Sequence, residues 1–394
     1  MAEEHRIKHE GLVVTAIILT SFCYMHDMVI IPAVNSIYEQ FADSPGLANF
    51  IVSGPAGVMI ITELLTPRML RHVGKKRLMT IAMVVFAFAS IFGAAIVDPV
   101  YMAVARGIVG AAVGVIATVP LTLISELYED EGKRSWLMGL YNAGMTGIGF
   151  VLGILSGYVA SSGWQGCFRL YWITVPILVL WVLVMPETGK DSAGEQEAKR
   201  ERFPMGGFVK LLVVFFLIGV FYAIIYYQIS VYVSEQQIGD EMLAGTLSSL
   251  GTLGGFVISF LFGGIFKRIQ ERSFGVGCLA LAASILILYL FPSVAGSMIA
   301  TFLIGAAWGF IYTAFTMDLT TVVPQSFVNT SVSVGLAVAG LCMFASTYVT
   351  TLLQMITGSS TISSILPIGV VVSALCGVIT LVSPPKASAS EAAS

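Results

Sequence analysis

Gly11–Val34 reads GLVVTAIILTSFCYMHDMVIIPAV, a membrane-length apolar run with an imidazole, His26, and a carboxylate, Asp27, set inside it. An ionisable side chain at bilayer depth costs about 2.5–3.5 kcal/mol or more unless it has a partner or a wet cavity. One basic residue lies far inside another apolar run, Arg106 in VYMAVARGIVGAAVGV. Asp27 is 16 residues past Gly11 and Arg106 is 6 past Val100. At about 1.5 Å per residue those steps place both in the same half of a layer about 30 Å thick. The two groups are expected to face each other in the interior of a helical bundle.

The rest of the chain has the composition of a bundle in lipid. Of 394 residues, 57% are hydrophobic and only 11% charged, where soluble domains carry about 25% charged residues. The apolar runs are far longer than the roughly 10-residue alternating strands of a barrel. Twelve are expected as helices, at 11–34, 46–66, 78–97, 100–125, 137–160, 168–186, 207–232, 242–266, 273–291, 296–319, 330–352 and 362–382. The first run is too long for a cleaved signal and lacks a small-x-small site after it. The five cysteines are scattered, which reads as packed thiols and excludes a disulfide or metal framework.

Twelve crossings put both termini on one side, and lysine and arginine choose the side. Of the 20 basic residues, all but Arg106 and Arg169 fall at the chain ends or in the loops of the terminal-bearing face. The expectation is a cell-membrane protein with both termini cytoplasmic. The polar stretch 186–206 separates residues 1–185 from 207–382 as a solvated linker between two six-helix bundles, and 383–394 reads as a disordered tail. Matching glycine spacings, Gly110 after Arg106 in the fourth run and Gly305-x-x-x-Gly309 in the tenth, indicate internal pseudo-symmetry. The fold class expected is therefore all-α, with twelve transmembrane helices in two pseudo-symmetric bundles.

Over essentially its full length the chain resembles the major facilitator superfamily. The loop after the second run, Pro67 to Lys76, is similar to that family's G-x-L-A-D-R-x-G-R-R signature. Gly74, Lys75 and Lys76 match it, while Pro67 replaces the first glycine and Arg71 the aspartate. Its second copy runs from Gly263 through Arg268 to Arg272. Arg106, Gly110 and Gly114 resemble the family's R-x-x-x-G-x-x-x-G pattern, and Gly144 to Gly157 resemble its glycine-rich antiporter motif in part. An acid in the first helix with an arginine in the fourth most resembles the twelve-helix drug:proton antiporters. The resemblance implies alternating access, a gate at the cytoplasmic end involving Glu63, Arg71, Gly74, Lys75, Arg134 and Arg268, and a cavity lined by helices one, four, seven and ten.

On that footing Asp27 is expected to carry a proton, Arg106 to compete for its charge, and His26 to serve as a relay. Adjacent residues point about 100° apart on a helix, so His26 is expected to face away from Asp27. Tyr222 and Tyr226 share a helix face, as do Trp308 and Tyr312 at i, i+4. These residues, with Gln228 and Asn142, are the candidate substrate contacts; Phe315, the next residue on the second face, reads as packing. Gly149, Gly153 and Gly157 read as a close-packing device, and Pro32 and Pro55 as bends.

No G-x-x-x-x-G-K-[ST] or G-x-S-x-G occurs and the histidines lack metal-ligand spacing, which argues against a nucleotide hydrolase, a serine hydrolase or a metalloenzyme. The partners expected are the bilayer, protons and a small-molecule substrate. No cofactor, metal or nucleic acid is expected, and the chain reads as a monomer. The leading expectation is proton-coupled efflux of hydrophobic or weakly cationic compounds. A carrier in which Arg106 binds the carboxylate of an organic anion or metabolite, and a non-transporting receptor on the same fold, are the alternatives.

Overall fold

The computed structural model describes residues 10–128, 130–186, 205–324 and 327–383. Nearly all of the expected linker 186–206 and tail 383–394 lie outside these residues. Twelve helical spans follow in order: α1 (Glu10–Tyr24 and Asp27–Gln40), α2 (Pro45–Leu70), α3 (Lys75–Ile91), α4 (Pro99–Leu127), α5 (Glu131–Ala160), α6 (Trp164–Val184), α7 (Met205–Glu235), α8 (Glu241–Ile269), α9 (Ser273–Leu290), α10 (Val294–Thr321), α11 (Val328–Thr357) and α12 (Ile362–Val382). Most are long and apolar enough to cross a bilayer unaided. α3 is short at 17 residues, and α8 runs into α9 through Gln270, whose φ of 43° turns the chain.

The main departure from the sequence expectation is α1. It is two pieces bent by 48° with the break at Met25–His26, just before Asp27. Pro32 sits in a 3₁₀ turn, Ile31–Ala33, one and a half turns further on. Thr20 and Ser21 contribute to the break by bonding back to the Ile17 and Ile18 carbonyls at 2.6 Å, a geometry that bends helices. A broken helix in lipid must have its freed carbonyls bonded elsewhere. Here the Tyr171 hydroxyl donates to the His26 carbonyl at 2.9 Å, Ser156 to that of Val29, and Ser230 to that of Pro32 at 2.7 Å.

Glycines set how closely the helices approach. In the first half Gly110 and Gly114 of α4 lie directly against Pro55 and Met59 of α2. In the second half Gly305 and Gly309 of α10 lie against Gly251 and Gly255 of α8, the same contact in the same place of the repeat. Between the halves, Gly153 and Gly157 of α5 face Gly245 and Ser249 of α8.

The halves meet at the end away from the chain termini. There Tyr38 bonds Asn49 at 3.0 Å, Asn49 bonds Thr351 at 3.0 Å, and Ser53 meets Thr347 at 2.6 Å. Ser36 bonds Glu241 at 3.1 Å, and Ser249 bonds the Phe150 carbonyl at 2.8 Å. Toward the termini α2 and α11 part below the Ile60–Gly340 contact and leave an open cleft. The bundle is closed at one end and splayed at the other.

A Cβ at Gly245 would overlap the Gly153 carbonyl and the Gly157 backbone, whereas one at Gly147 would meet nothing. Gly245→Leu is expected to weaken the closed seam by about 1–3 kcal/mol. A thermal unfolding midpoint lowered in this variant and unchanged in Gly147→Leu checks it.

Candidate functional site

Arg106 reaches Asp27 because three sequence features act together. Pro55 has no N–H, so the carbonyl of Ile51, four residues back, has no partner within α2. Gly110 brings α4 onto Pro55. Arg106, one turn from Gly110, then donates from Nε to the Ile51 carbonyl at 2.9 Å and from Nη2 to Asp27 Oδ1 at 2.8 Å. The guanidinium is buried, and its Nη1 has no hydrogen-bond partner among the described residues.

The carboxylate of Asp27 accepts from both halves of the molecule. Tyr227 of α7 donates its hydroxyl to Oδ2 at 2.7 Å. Nothing in the sequence marks Tyr227, since a buried phenol beside Tyr226 reads as packing. Its neighbour in the sequence, Gln228, points elsewhere: its amide bonds the Tyr38 hydroxyl at 3.1 Å, in the closed end. Gln228 is thus placed in the closure between the halves, apart from the aromatic faces with which the sequence grouped it.

His26 does not face away from Asp27 as a continuous helix would require. The break in α1 turns it so that Nε2 lies 3.1 Å from Asp27 Oδ1, off the line of a well-aligned hydrogen bond. Nδ1 lies 3.2 Å from the Tyr24 carbonyl, an acceptor, which assigns the ring hydrogen to Nδ1. A neutral ring in that tautomer sets a lone pair against the carboxylate. Phe86 packs edge-on against the imidazole at 6.3 Å and keeps the pair in apolar surroundings.

The aromatic faces of α7 and α10 meet. Tyr222 stacks on Trp308 at 4.2 Å with 5° between planes, Tyr226 lies 5.9 Å from Tyr222, and Tyr312 is 6.1 Å from Trp308. All four are half-buried. The space beside Tyr222 and Tyr226 is about 30 Å³, room for a water but not for an organic substrate. Phe315, stacked on Phe215 at 3.6 Å, is core. Asn142 is exposed on α5.

The residues expected at the gate are not gathered into one cluster. Lys75, buried at the start of α3, pairs with Glu126 of α4 at 2.6 Å within the first half. Gly74 caps α3 in extended conformation. Arg71 and Arg268 are exposed, and Arg134 and Glu63 are partly buried, Glu63 within electrostatic reach of Tyr24 and Tyr312.

Residues 16–347 match the profile of the Major Facilitator Superfamily. The chain belongs to that family. It has the fold of a multi-pass membrane transporter and is not an enzyme. A D-xylose–proton symporter structure aligns with a TM-score of 0.72 at 13% identity, covering 94% of this chain and 97% of that one. A bacterial homologue of the human lysosomal transporter Spinster, inward-facing and unoccupied, aligns at 0.70 with 15% identity and 94% of each chain covered. At such identities the likeness is one of fold. The puromycin resistance protein pur8 of Streptomyces alboniger is 29% identical over 112 residues, which is 28% of this chain and 22% of that relative. The superfamily chain thus matches only about a fifth of that relative's length.

Removing Arg106 leaves a buried carboxylate short of its cation. Arg106→Ala is expected to cost about 3–5 kcal/mol of stability, and adding Asp27→Asn to recover much of it; thermal unfolding of the two single variants and the double checks this. Pro55→Ala supplies an in-helix donor for the Ile51 carbonyl. It is expected to lower the Asp27–Arg106 coupling in the same cycle by about 1 kcal/mol.

Proposed function

We propose that the protein is a secondary transporter working by alternating access, in which Asp27 couples proton movement to export of hydrophobic or weakly cationic compounds across the cell membrane. The observation that carries this reading is the cross-half bond from Tyr227 to Asp27. An ionised carboxylate can accept from Arg106 and Tyr227 at once; once protonated it loses its charge and part of its acceptor capacity. Protonation therefore weakens a link between the two bodies that must rock past each other.

The distribution of basic residues supports cytoplasmic termini, and in that orientation the splayed end faces inward and the closed end outward. In this state Asp27, unloaded, is held by Arg106 and Tyr227. Opening the outer end carries α7 away from α1, removes the Tyr227 donor and leaves Asp27 to take a proton from outside. Return to the inward-facing state re-forms the bond and releases that proton inside, by way of His26. Cargo moves the other way, parting the stacked Trp308 and Tyr222 rings, with Tyr226 and Tyr312 beside them. Glu63, Arg71, Gly74, Lys75, Arg134 and Arg268 belong in this reading to the end that closes when the outer end opens. The partial match to a puromycin resistance protein favours efflux and makes puromycin the first compound to test.

A second reading rests on the unpartnered Nη1 of Arg106, a donor with which an organic anion's carboxylate can pair. Transport in everted vesicles separates the two. For the exporter, Asp27→Asn abolishes substrate-linked proton movement while Arg106→Lys only weakens it. Transport that needs no proton gradient, with all binding lost in Arg106→Ala, selects the anion carrier instead.

A further inference from the structure

The cleft between α2 and α11 belongs to the splayed end, and the mechanism above gives its walls no ligand. It measures about 620 Å³, within the range of about 300–1,000 Å³ common to small-molecule sites, and its walls are almost wholly apolar. Ile60 and Leu64 line it from α2; Val334, Ala337 and Leu341 line it from α11, with the Thr330 hydroxyl toward the terminal-bearing end. Both helices cross the bilayer, so the medium beside the cleft is lipid. Its apex is shut by Ile60 against Gly340 and by Phe344 over Gly57.

The α2 wall continues into charge. Arg68 and Arg71 follow Leu64 at i+4 and i+7, which puts them on the same helix face, one and two turns nearer the bilayer surface. Both are exposed, and neither has an acidic side chain within ion-pair distance among the described residues. The facing wall and the residues just before α11 carry no acid to answer them. An apolar slot in the bilayer capped by two arginines at the interface has the polarity of an anionic phospholipid: acyl chain inside, phosphate outside.

We propose that this cleft binds an anionic phospholipid, with an acyl chain between Leu64 and Ala337 and the phosphate on Arg68 and Arg71. The cleft exists because α2 and α11 are parted at this end, and closing that end removes it. A lipid seated there binds one state and not the other, so it shifts the balance toward the state splayed at the terminal-bearing end. Arg71 gains a role that an aspartate in its place would oppose by charge.

Native mass spectrometry of the purified full-length protein, with dioleoylphosphatidylglycerol or dioleoylphosphatidylcholine added, tests the proposal. The wild type is expected to retain the glycerol lipid about five-fold or more over the choline lipid. Ala337→Trp, which fills the slot, is expected to lose the phosphatidylglycerol adduct. Arg68→Gln/Arg71→Gln is expected to keep lipid but lose the preference. Val334→Phe, a smaller filling, serves if the tryptophan variant does not fold. Equal retention of the two lipids by the wild type, or undiminished phosphatidylglycerol binding in the filled variants, overturns it. The readout is lipid retention by the purified protein and uses neither a proton gradient nor cargo, so the lipid site and the proton mechanism stand or fall separately.

Discussion

The carboxylate of Asp27 is the point on which the interior is balanced. Arg106 supplies the positive charge from within the first half and Tyr227 a neutral donor from the second. These differ in what they can do. Arginine and acid both lie in the first half, so the proposed rocking of the halves leaves them together. The phenol lies in the second half, so under that proposal its bond forms in only some positions of the two. A buried ion pair alone is weak evidence of anything beyond packing. A buried ion pair with a third partner on the moving body is sensitive to where that body is.

Backbone groups freed by prolines and by a helix break are what allow this geometry. Ile51 offers Arg106 a carbonyl because Pro55 cannot use it. The break at Met25–His26 exposes carbonyls to Tyr171, Ser156 and Ser230 and turns His26 toward the acid beside it. In water such groups would simply be hydrated. In lipid each must find a donor in the protein; at Ile51 it is a guanidinium, and along α1 it is hydroxyls, all from other helices.

That distinction also explains what the sequence reveals. Helix spans follow from hydropathy, which acts over tens of residues, and the family from short motifs such as Gly74–Lys76 and Arg106, Gly110 and Gly114. The Asp27–Arg106 pair was legible because two isolated charges at similar depth in lipid have few other partners. Tyr227 and the Ile51 carbonyl were not, since neither carries a charge. Only Pro55, four residues beyond Ile51, hints at the second. Taking α1 as continuous through Met25–His26 misplaced His26, because Thr20 and Ser21 act there by local hydrogen bonding that hydropathy does not register. Gln228 bonds Tyr38 in the closed end, a placement spacing does not give: helix seven lines both the middle of the bundle and its closed end, and spacing alone does not say where one gives way to the other.

The closed end is built to come apart. Along α5 and α8 it is glycine on glycine, with few interlocking side chains to disengage. Along α1, α2, α7 and α11 it is held by serine, threonine, asparagine, glutamine and tyrosine. Each such bond is worth about 0.5–1.5 kcal/mol net, because water replaces it when it opens. Separating apolar cores of the same area would expose leucines and phenylalanines to water at about 25 cal/mol per Å². Polar closure keeps the cost of parting this end small, which the proposed coupling through Asp27 requires, since a single proton can bias only a nearly balanced pair of conformations.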